Sequence, residues 1–453
     1  MCGIVGVFSH RNASYMVANA LFSVQHRGQE SCGIAVSDGR MIKLHKQNGL
    51  VKNVFPQEKL DQFVGGIAIG HVHFPTRGAA NENNYQPFLS ETLSGPDYSL
   101  ASNGALVNYA EIRGLLENNG VFLMTANDAE LTLKYIVFKV EQENLTIVEA
   151  IQCFMKEVKG AYSAVLLTKN ELYMFRDPHG FRPLSWGKTD DGTFVVASET
   201  CALDIVGAKY ESHVKQAEII TVNANGITHI LNDPLEYRES QSPKHCIFEH
   251  VYFSRPDSYQ FNEDVFRVRE RIGAKLSESD GDFTPDLVVP IPDTSNFTAF
   301  GYANHKKMPV TFGLIRNHYA GRTFIKQSQT VRDVSVQQKY NYLPHTFDGK
   351  TVVLIDDSIV RGTTIKKIID LIHKAGATEV HLRIGSPQVK FPCYYGIDIP
   401  HQNDLIANNK SLEQLRKDYG VTTLKHVCID LLGECVSKPL NYCYACFTGE
   451  YFV

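Results

Sequence analysis

The stretch Thr351–Thr364, TVVLIDDSIVRGTT, decides how the second half of the chain folds. Val352, Val353, Leu354 and Ile355 form an apolar run short enough for a buried strand. Two acids follow, Asp356 and Asp357. A small-residue turn from Ser358 to Thr364 then opens IKKIIDLIHKAGA, whose amphipathic spacing predicts a helix. Strand, turn and helix in that order make an anion site. Turn amides and the helix N-terminus face a phosphate, and Ser358, Thr363 and Thr364 add hydroxyl donors. The paired carboxylates repel phosphate and suit sugar hydroxyls or a Mg²⁺ ion. A ribose bearing a 5-phosphate and a metal-bound pyrophosphate satisfies every part. A dinucleotide-binding turn would place GxGxxG before the acid rather than after it.

Working outward, 453 residues are too many for one ordinary core, so two or three domains are expected. Hydrophobic content of 43% and charged content of 21% are those of a globular protein, which excludes a disordered or fibrous chain. A net charge of −4 gives no reason to expect a nucleic-acid or membrane partner. No basic segment with an apolar core opens the chain and no 18-residue apolar run occurs, so a cytoplasmic protein is expected. Ten cysteines in such a chain read as reduced thiols, ligands or a nucleophile rather than disulfides. The polar, proline-bearing segment 231–244, LNDPLEYRESQSPK, reads as a domain boundary. Beyond it, alternating strands and helices predict a mainly parallel sheet.

MCGIVGVF places a cysteine directly behind Met1. With Met1 removed, Cys2 carries both a thiol and an α-amine, and an amine titrating near pH ~8 can serve as base for its own thiol. Position alone does not separate this from a small residue that happens to follow Met. The motifs that follow do. They are HRGQESCGIAVSDG (26–39), GHVHFPTRG…NYQPF (70–88), SNGALVN (102–108), NDAEL (127–131), GAYSAVLL (160–167) and FRDPHGFRPL (175–184).

Together these resemble the class II glutamine amidotransferase domain, an N-terminal-nucleophile hydrolase with an αββα sandwich. The Thr351–Thr364 stretch resembles the phosphoribosyl-pyrophosphate (PRPP) signature of type I phosphoribosyltransferases, an α/β fold. CIFEHVYFSRPDS (246–258) narrows the match to the glutamine PRPP amidotransferases. The resemblance implies an amidotransferase domain over residues 2–235 and a phosphoribosyltransferase domain over 245–453. The implied reaction makes 5-phosphoribosylamine, glutamate and pyrophosphate, the first step of purine synthesis. Cys2 would attack the glutamine amide, Asn103 and Gly104 would form the oxyanion hole, Arg27 would support the nucleophile, and Asp128 would hold the substrate ammonium. In the other half, DLVVPIPDTS (286–295) implies Asp293 and Ser295 around the pyrophosphate. Thr294, Asp356 and Asp357 would hold one Mg²⁺, while Ser358, Arg361, Gly362, Thr363 and Thr364 bind the rest of PRPP. The segment 313–341 matches the loop that closes over PRPP, through Arg316, Arg322, Lys326, Lys339 and Asn341. Cys246, Cys393, Cys443 and Cys446 match the members that carry a [4Fe–4S] cluster, although a cysteine-only set by itself also fits zinc. Purine-nucleotide inhibition and a homotetramer are further implications.

Three positions depart from the pattern. His73 stands where the family has the arginine that clamps the substrate carboxylate, and imidazole offers fewer donors than a guanidinium. Arg77, four residues on, is the candidate to replace it. Ser102 replaces a His, and His318 an Arg. These departures motivate an alternative, a divergent PRPP-dependent paralogue using free ammonia or another amine. A PRPP-sensing regulator would need a DNA-binding module, and none is evident. The remaining thiols, Cys32, Cys153, Cys201, Cys428 and Cys435, are expected to be ordinary and buried.

Overall fold

The computed structural model describes residues 2–9, 12–74, 82–92, 95–233, 242–317, 339–399 and 401–452. The first half is built on two antiparallel sheets. One has seven strands, in the order Lys209–His213, Ser185–Lys188, Phe194–Ala197, Gly3–Phe8, Ile67–His73, Ser31–Ser37 and Ile42–Asn48. The other has six: Gly226–Leu231, Glu218–Asn223, Leu172–Arg176, Gly160–Thr168, Gly95–Leu106 and Phe88–Thr92.

The strand Gly3–Phe8 shows why these sheets stack. Its side chains alternate, so Val5 and Val7 pack towards the helix Ala13–Ser23 while Ile4 packs against Val165, Leu172 and Met174 of the second sheet. Gly6 sits where the sheets meet. A Cβ there would stand 2.9 Å from Val165 Cγ1 and Val196 Cγ1. The outer face of the second sheet is covered by the helices Asp128–Glu143 and Ile147–Glu157, the latter started by a Thr146–Glu149 capping box. Four layers result, helix–sheet–sheet–helix.

The second half carries a parallel sheet in the order Leu287–Pro290, Thr351–Asp356, Glu379–Ile384 and Thr423–His426. The central strand is buried on both faces, as parallel strands are. Val353 and Ile355 meet the helices Val265–Glu278 and Asn296–Lys306, and Val352 and Leu354 meet the helices Thr363–Lys374 and Leu412–Tyr419. Ile365, Ile368, Ile369 and Ile372 give Thr363–Lys374 the apolar stripe its sequence predicts. The expected boundary falls mainly on 234–241, outside the described residues.

Candidate active sites

Cys2 immediately precedes a strand whose Gly3 pairs with Val72, which sets it beside His73 at the end of the neighbouring strand. Its Sγ lies 4.0 Å from His73 Nδ1 and 3.7 Å from the Phe74 carbonyl oxygen. Burial pushes the thiol's pKa up, so a nucleophilic role for it would need a base nearby. The Cys2 backbone nitrogen donates to Asn103 Oδ1 at 3.1 Å. The other end of that amide, Asn103 Nδ2, is buried without a hydrogen-bond partner among the described residues. An idle buried donor beside a nucleophile suits an oxygen that becomes negative during reaction. Gly104 is required by its neighbours, since a Cβ would stand 1.9 Å from the Ala161 carbonyl oxygen.

Arg27 is fully buried and donates through Nε to the Cys2 carbonyl oxygen at 3.0 Å. Its other nitrogens grip Glu249 at 3.0 and 2.8 Å and also meet Glu199. Burial would lower the guanidinium's pKa, but Glu249 and Glu199 outweigh it and hold the charge firmly on. Glu249 belongs to the second half of the chain. It also meets Arg182 Nη1 at 3.4 Å, and Arg182 Nε donates to the Tyr395 carbonyl oxygen at 2.8 Å. The surroundings of Cys2 are therefore assembled from both halves. Neither Glu199 nor Glu249 carries a local sequence signal, because their partners lie 172 and 222 positions away.

His73 is buried, and burial pushes its pKa down to about 4, so the imidazole is neutral at pH 7. His71 lies on the same face of that strand, its ring centroid 5.6 Å from that of His73. The HxH spacing, which puts both rings on one face of a strand, is the signal by which His71 could have been found. Ser102 is buried and its N–H donates to Gln86 Oε1. Asp128 opens the helix Asp128–Glu143, whose cap Asn127 donates through Nδ2 to the Asn84 carbonyl oxygen at 2.8 Å. Arg77 lies outside the described residues.

In the second half, Asp356 ends its strand and Asp357 follows. Thr294 Oγ1 donates to Asp357 Oδ1 at 2.6 Å, Ser295 Oγ to Asp356 Oδ1 at 3.3 Å, and Ser358 Oγ to Asp357 Oδ2 at 2.5 Å. Burial and then their mutual charge push the pKa of Asp356 well up, and burial does the same for Asp357. Two acids that ionise reluctantly side by side are a site a divalent cation would relieve. Arg316 donates to Asp293. Gly362 caps the helix Thr363–Lys374 with φ +73°, and a Cβ there would meet Tyr419 Oη at 2.2 Å. Arg361 and Thr363 are exposed in that turn, with Thr364 beside them, and the helix carries no side-chain cap, leaving its first amides for an anion. The strands Leu314–Arg316 and Tyr340–Tyr342 pair antiparallel and bring Arg316, Lys339 and Asn341 to the two ends of the segment expected to close the site. Lys339 adds positive charge near Asp356, and Asn341 is exposed. His318, Arg322 and Lys326 lie outside the described residues.

A third constellation lies between the two halves. Cys246 and Cys443 are direct partners in a short parallel ladder. With Cys393 and Cys446 they line a small enclosed pocket closed by Phe181, Arg182 and Tyr395. Among the described residues no three of these four sulfurs lie within 4.8 Å of one another. The other thiols are not all buried as expected. Cys153 is half-buried, and Cys428 is exposed because it caps the short helix Ile429–Glu434 at the surface.

Comparison with known proteins agrees with both halves. A family model for a glutamine amidotransferase domain matches residues 76–204, and one for a phosphoribosyl transferase domain matches 257–384. Arabidopsis thaliana "Amidophosphoribosyltransferase 1, chloroplastic" is 42% identical over 99% of this chain and 78% of its own length. The Bacillus subtilis "Amidophosphoribosyltransferase" is 38% identical over 99% of this chain and 94% of its own. A solved structure, the glutamine PRPP amidotransferase from B. subtilis complexed with ADP and GMP, superposes with a TM-score of 0.90 at 37% identity, covering 99% of this chain and 97% of that one. Sequence, fold and site geometry converge, and the chain belongs to the amidophosphoribosyltransferase family.

Proposed function

We propose that the family reaction runs here through two sites, with glutamine hydrolysed at Cys2 in residues 2–235 and PRPP converted in residues 245–453. The chain is a glutamine-dependent enzyme that makes 5-phosphoribosylamine, glutamate and pyrophosphate. One observation carries the glutamine half: Asn103 accepts from the Cys2 nitrogen and keeps Nδ2 free for an oxyanion. The relatives give no support to the divergent-amine reading.

At the first site the Cys2 nitrogen, an amine once Met1 is removed, takes the thiol proton, and the thiolate attacks the glutamine amide carbon. Asn103 Nδ2 and the Gly104 N–H meet the oxygen that becomes charged, so stabilisation is greatest at the transition state. Ammonia leaves and water resolves the Cys2 thioester to glutamate. Arg27 fixes the Cys2 carbonyl and so orients the nucleophile. Asp128 would hold the substrate ammonium and His73 its carboxylate, with Arg77 the candidate from the sequence to assist.

At the second site the turn Ser358–Thr364 holds the 5-phosphate on amides and hydroxyls, and Asp356 and Asp357 meet the ribose. Asp293 and Ser295 flank the pyrophosphate. Thr294, Asp356 and Asp357 would hold Mg²⁺, which supplies charge neutralisation for the leaving pyrophosphate. Arg316, Arg322, Lys326, Lys339 and Asn341 close over PRPP and exclude water, which competes with ammonia for the ribosyl carbon.

The four cysteines fit an iron–sulfur group better than zinc. One tetrahedral zinc needs sulfurs about 3.8 Å apart, closer than this set, whereas a cluster is wider. Cys246, Cys393, Cys443 and Cys446 would hold it as a structural brace between the halves. Anaerobic purification is expected to give brown protein with about four irons per chain. Colourless protein holding zinc would overturn this assignment. We further place the enzyme in the cytoplasm, as a homotetramer inhibited by purine nucleotides. Free thiols at all ten cysteines support the first, and the nucleotides bound to the B. subtilis relative support the last.

The deciding experiment measures pyrophosphate release from Mg–PRPP, with glutamine and ammonium salt as parallel nitrogen sources. Release with both, and glutamate formed in step with glutamine, supports the two-site reading. Release with ammonium alone would overturn the glutamine half.

A further inference from the structure

The chemistry proposed above leaves His71 without work. Its ring is completely buried, and neither nitrogen has a hydrogen-bond partner among the described residues, although the Ser102 backbone faces it. A buried ring in that condition has a lone pair to offer. The ring shares its strand face with His73, and both stand over Cys2. One donor atom from each of Cys2, His71 and His73 falls within 4.8 Å of the other two. All three residues are buried.

We propose that Cys2, His71 and His73 form an inhibitory site for zinc(II), which binds the nucleophile reversibly and switches off glutamine use. One thiolate and two imidazoles are a donor set zinc takes readily, leaving a fourth position for water or the Cys2 nitrogen. Tetrahedral zinc places such donors about 3.4–3.6 Å apart, so a set within 4.8 Å closes by at most about 1.4 Å around the ion. The Sγ–Nδ1 distance of 4.0 Å to His73 is already near that value. Neither His71 nitrogen is engaged in a hydrogen bond among the described residues, so that imidazole has a lone pair to give the metal. The thiol loses its proton to solvent as the S–Zn bond forms, and no redox partner is needed.

His73 makes the site distinctive. An arginine at this position would bring a permanent cation with no lone pair to donate and would repel the metal. The same substitution that costs the glutamine carboxylate a guanidinium therefore supplies the third ligand. The inhibitory consequence rests on Cys2 being the nucleophile, but metal binding itself does not.

The test uses the full-length protein prepared anaerobically, with Co²⁺ as spectroscopic probe and Zn²⁺ as inhibitor. Wild type is expected to show a thiolate-to-cobalt charge-transfer band with four-coordinate d–d bands in excess of any in Cys2→Ala, the excess titrating as one cobalt per chain. His73→Arg should weaken binding by more than the roughly tenfold loss that even outer-shell changes cause. Metal taken up by the four-cysteine pocket is common to all three proteins and cancels. Near-ultraviolet circular dichroism checks that each variant is folded. In wild type, Zn²⁺ is expected to slow alkylation of Cys2 by iodoacetamide. It should also stop glutamine-dependent, but not ammonium-dependent, pyrophosphate release, with a chelator restoring it. An identical cobalt spectrum in Cys2→Ala would overturn the site, as would unchanged affinity in His73→Arg or unprotected Cys2. If glutamine supports no turnover even without zinc, the proposed function fails while the cobalt spectra still decide the metal site.

Discussion

Asn103 holds the Cys2 nitrogen on its amide oxygen, and its buried NH₂ has no hydrogen-bond partner among the described residues, which is the basis of the proposed oxyanion role. Asn103→Ala should lower glutamine-dependent kcat by roughly 10²–10³, the range seen when one oxyanion donor is lost, with ammonium-dependent turnover retained. Parallel assays with the two nitrogen sources check this. Cys2→Ala should abolish glutamine use outright under the same assay. Equal loss with both nitrogen sources would contradict separate sites. Cys2 and Asn103 could be proposed from the sequence because each sits inside a short contiguous motif, and the structure sets the two side by side. Glu199 and Glu249 could not, since a buried acid announces itself only through a partner far along the chain. Glu249→Gln should leave Arg27 and Arg182 buried with too little negative charge, at a cost of roughly 3–5 kcal/mol. A lowered midpoint in urea unfolding would register that cost.

Among the elements, the strand–turn–helix at Thr351–Lys374 was readable in full. Its apolar run, paired acids and isoleucine stripe each specify one structural state. The glycine at its turn is held by geometry that sequence periodicity does not reveal. Gly362→Ala should put a methyl group against Tyr419 Oη and force a left-handed conformation, costing about 1 kcal/mol or more. A higher KM for PRPP, with KM for glutamine unchanged, is the expected readout. The CxxC at Cys443–Cys446 was likewise visible. Its juxtaposition with Cys246 was not, because a two-residue parallel ladder is too short to leave a pattern.

For the molecule as a whole, the two-domain architecture was legible from the motifs of each half, and the interface between the halves was not. The several neutral histidines packed into both halves also set its response to acid. Burial pushes the pKa of His250 and His426 down to about 4, each against an unfolded value near ~6.5. The unfolded chain thus binds more protons between those limits, so stability is full above pH ~6.5 and falls as pH drops towards 4. Each buried imidazole contributes on the order of 3 kcal/mol to that loss. Thermal unfolding followed by circular dichroism from pH 8 to about 4 should show Tm falling most steeply across this window. His426→Gln should flatten the fall. A Tm independent of pH there would refute the account.

The contact between Gly396 and the oxyanion strand carries a consequence for how the enzyme is born. A Cβ on Gly396 would stand 2.9 Å from the Gly104 carbonyl carbon, so that late loop lies directly on an early strand. Arg27 likewise waits for Glu249, and Cys246 for Cys443. A ribosome emits the nucleophile first and the residues that seat it hundreds of positions later. The nascent chain therefore carries an unfinished glutaminase through most of its synthesis. On the proposed reading, the site that releases ammonia is therefore completed only once the half that consumes it has also emerged.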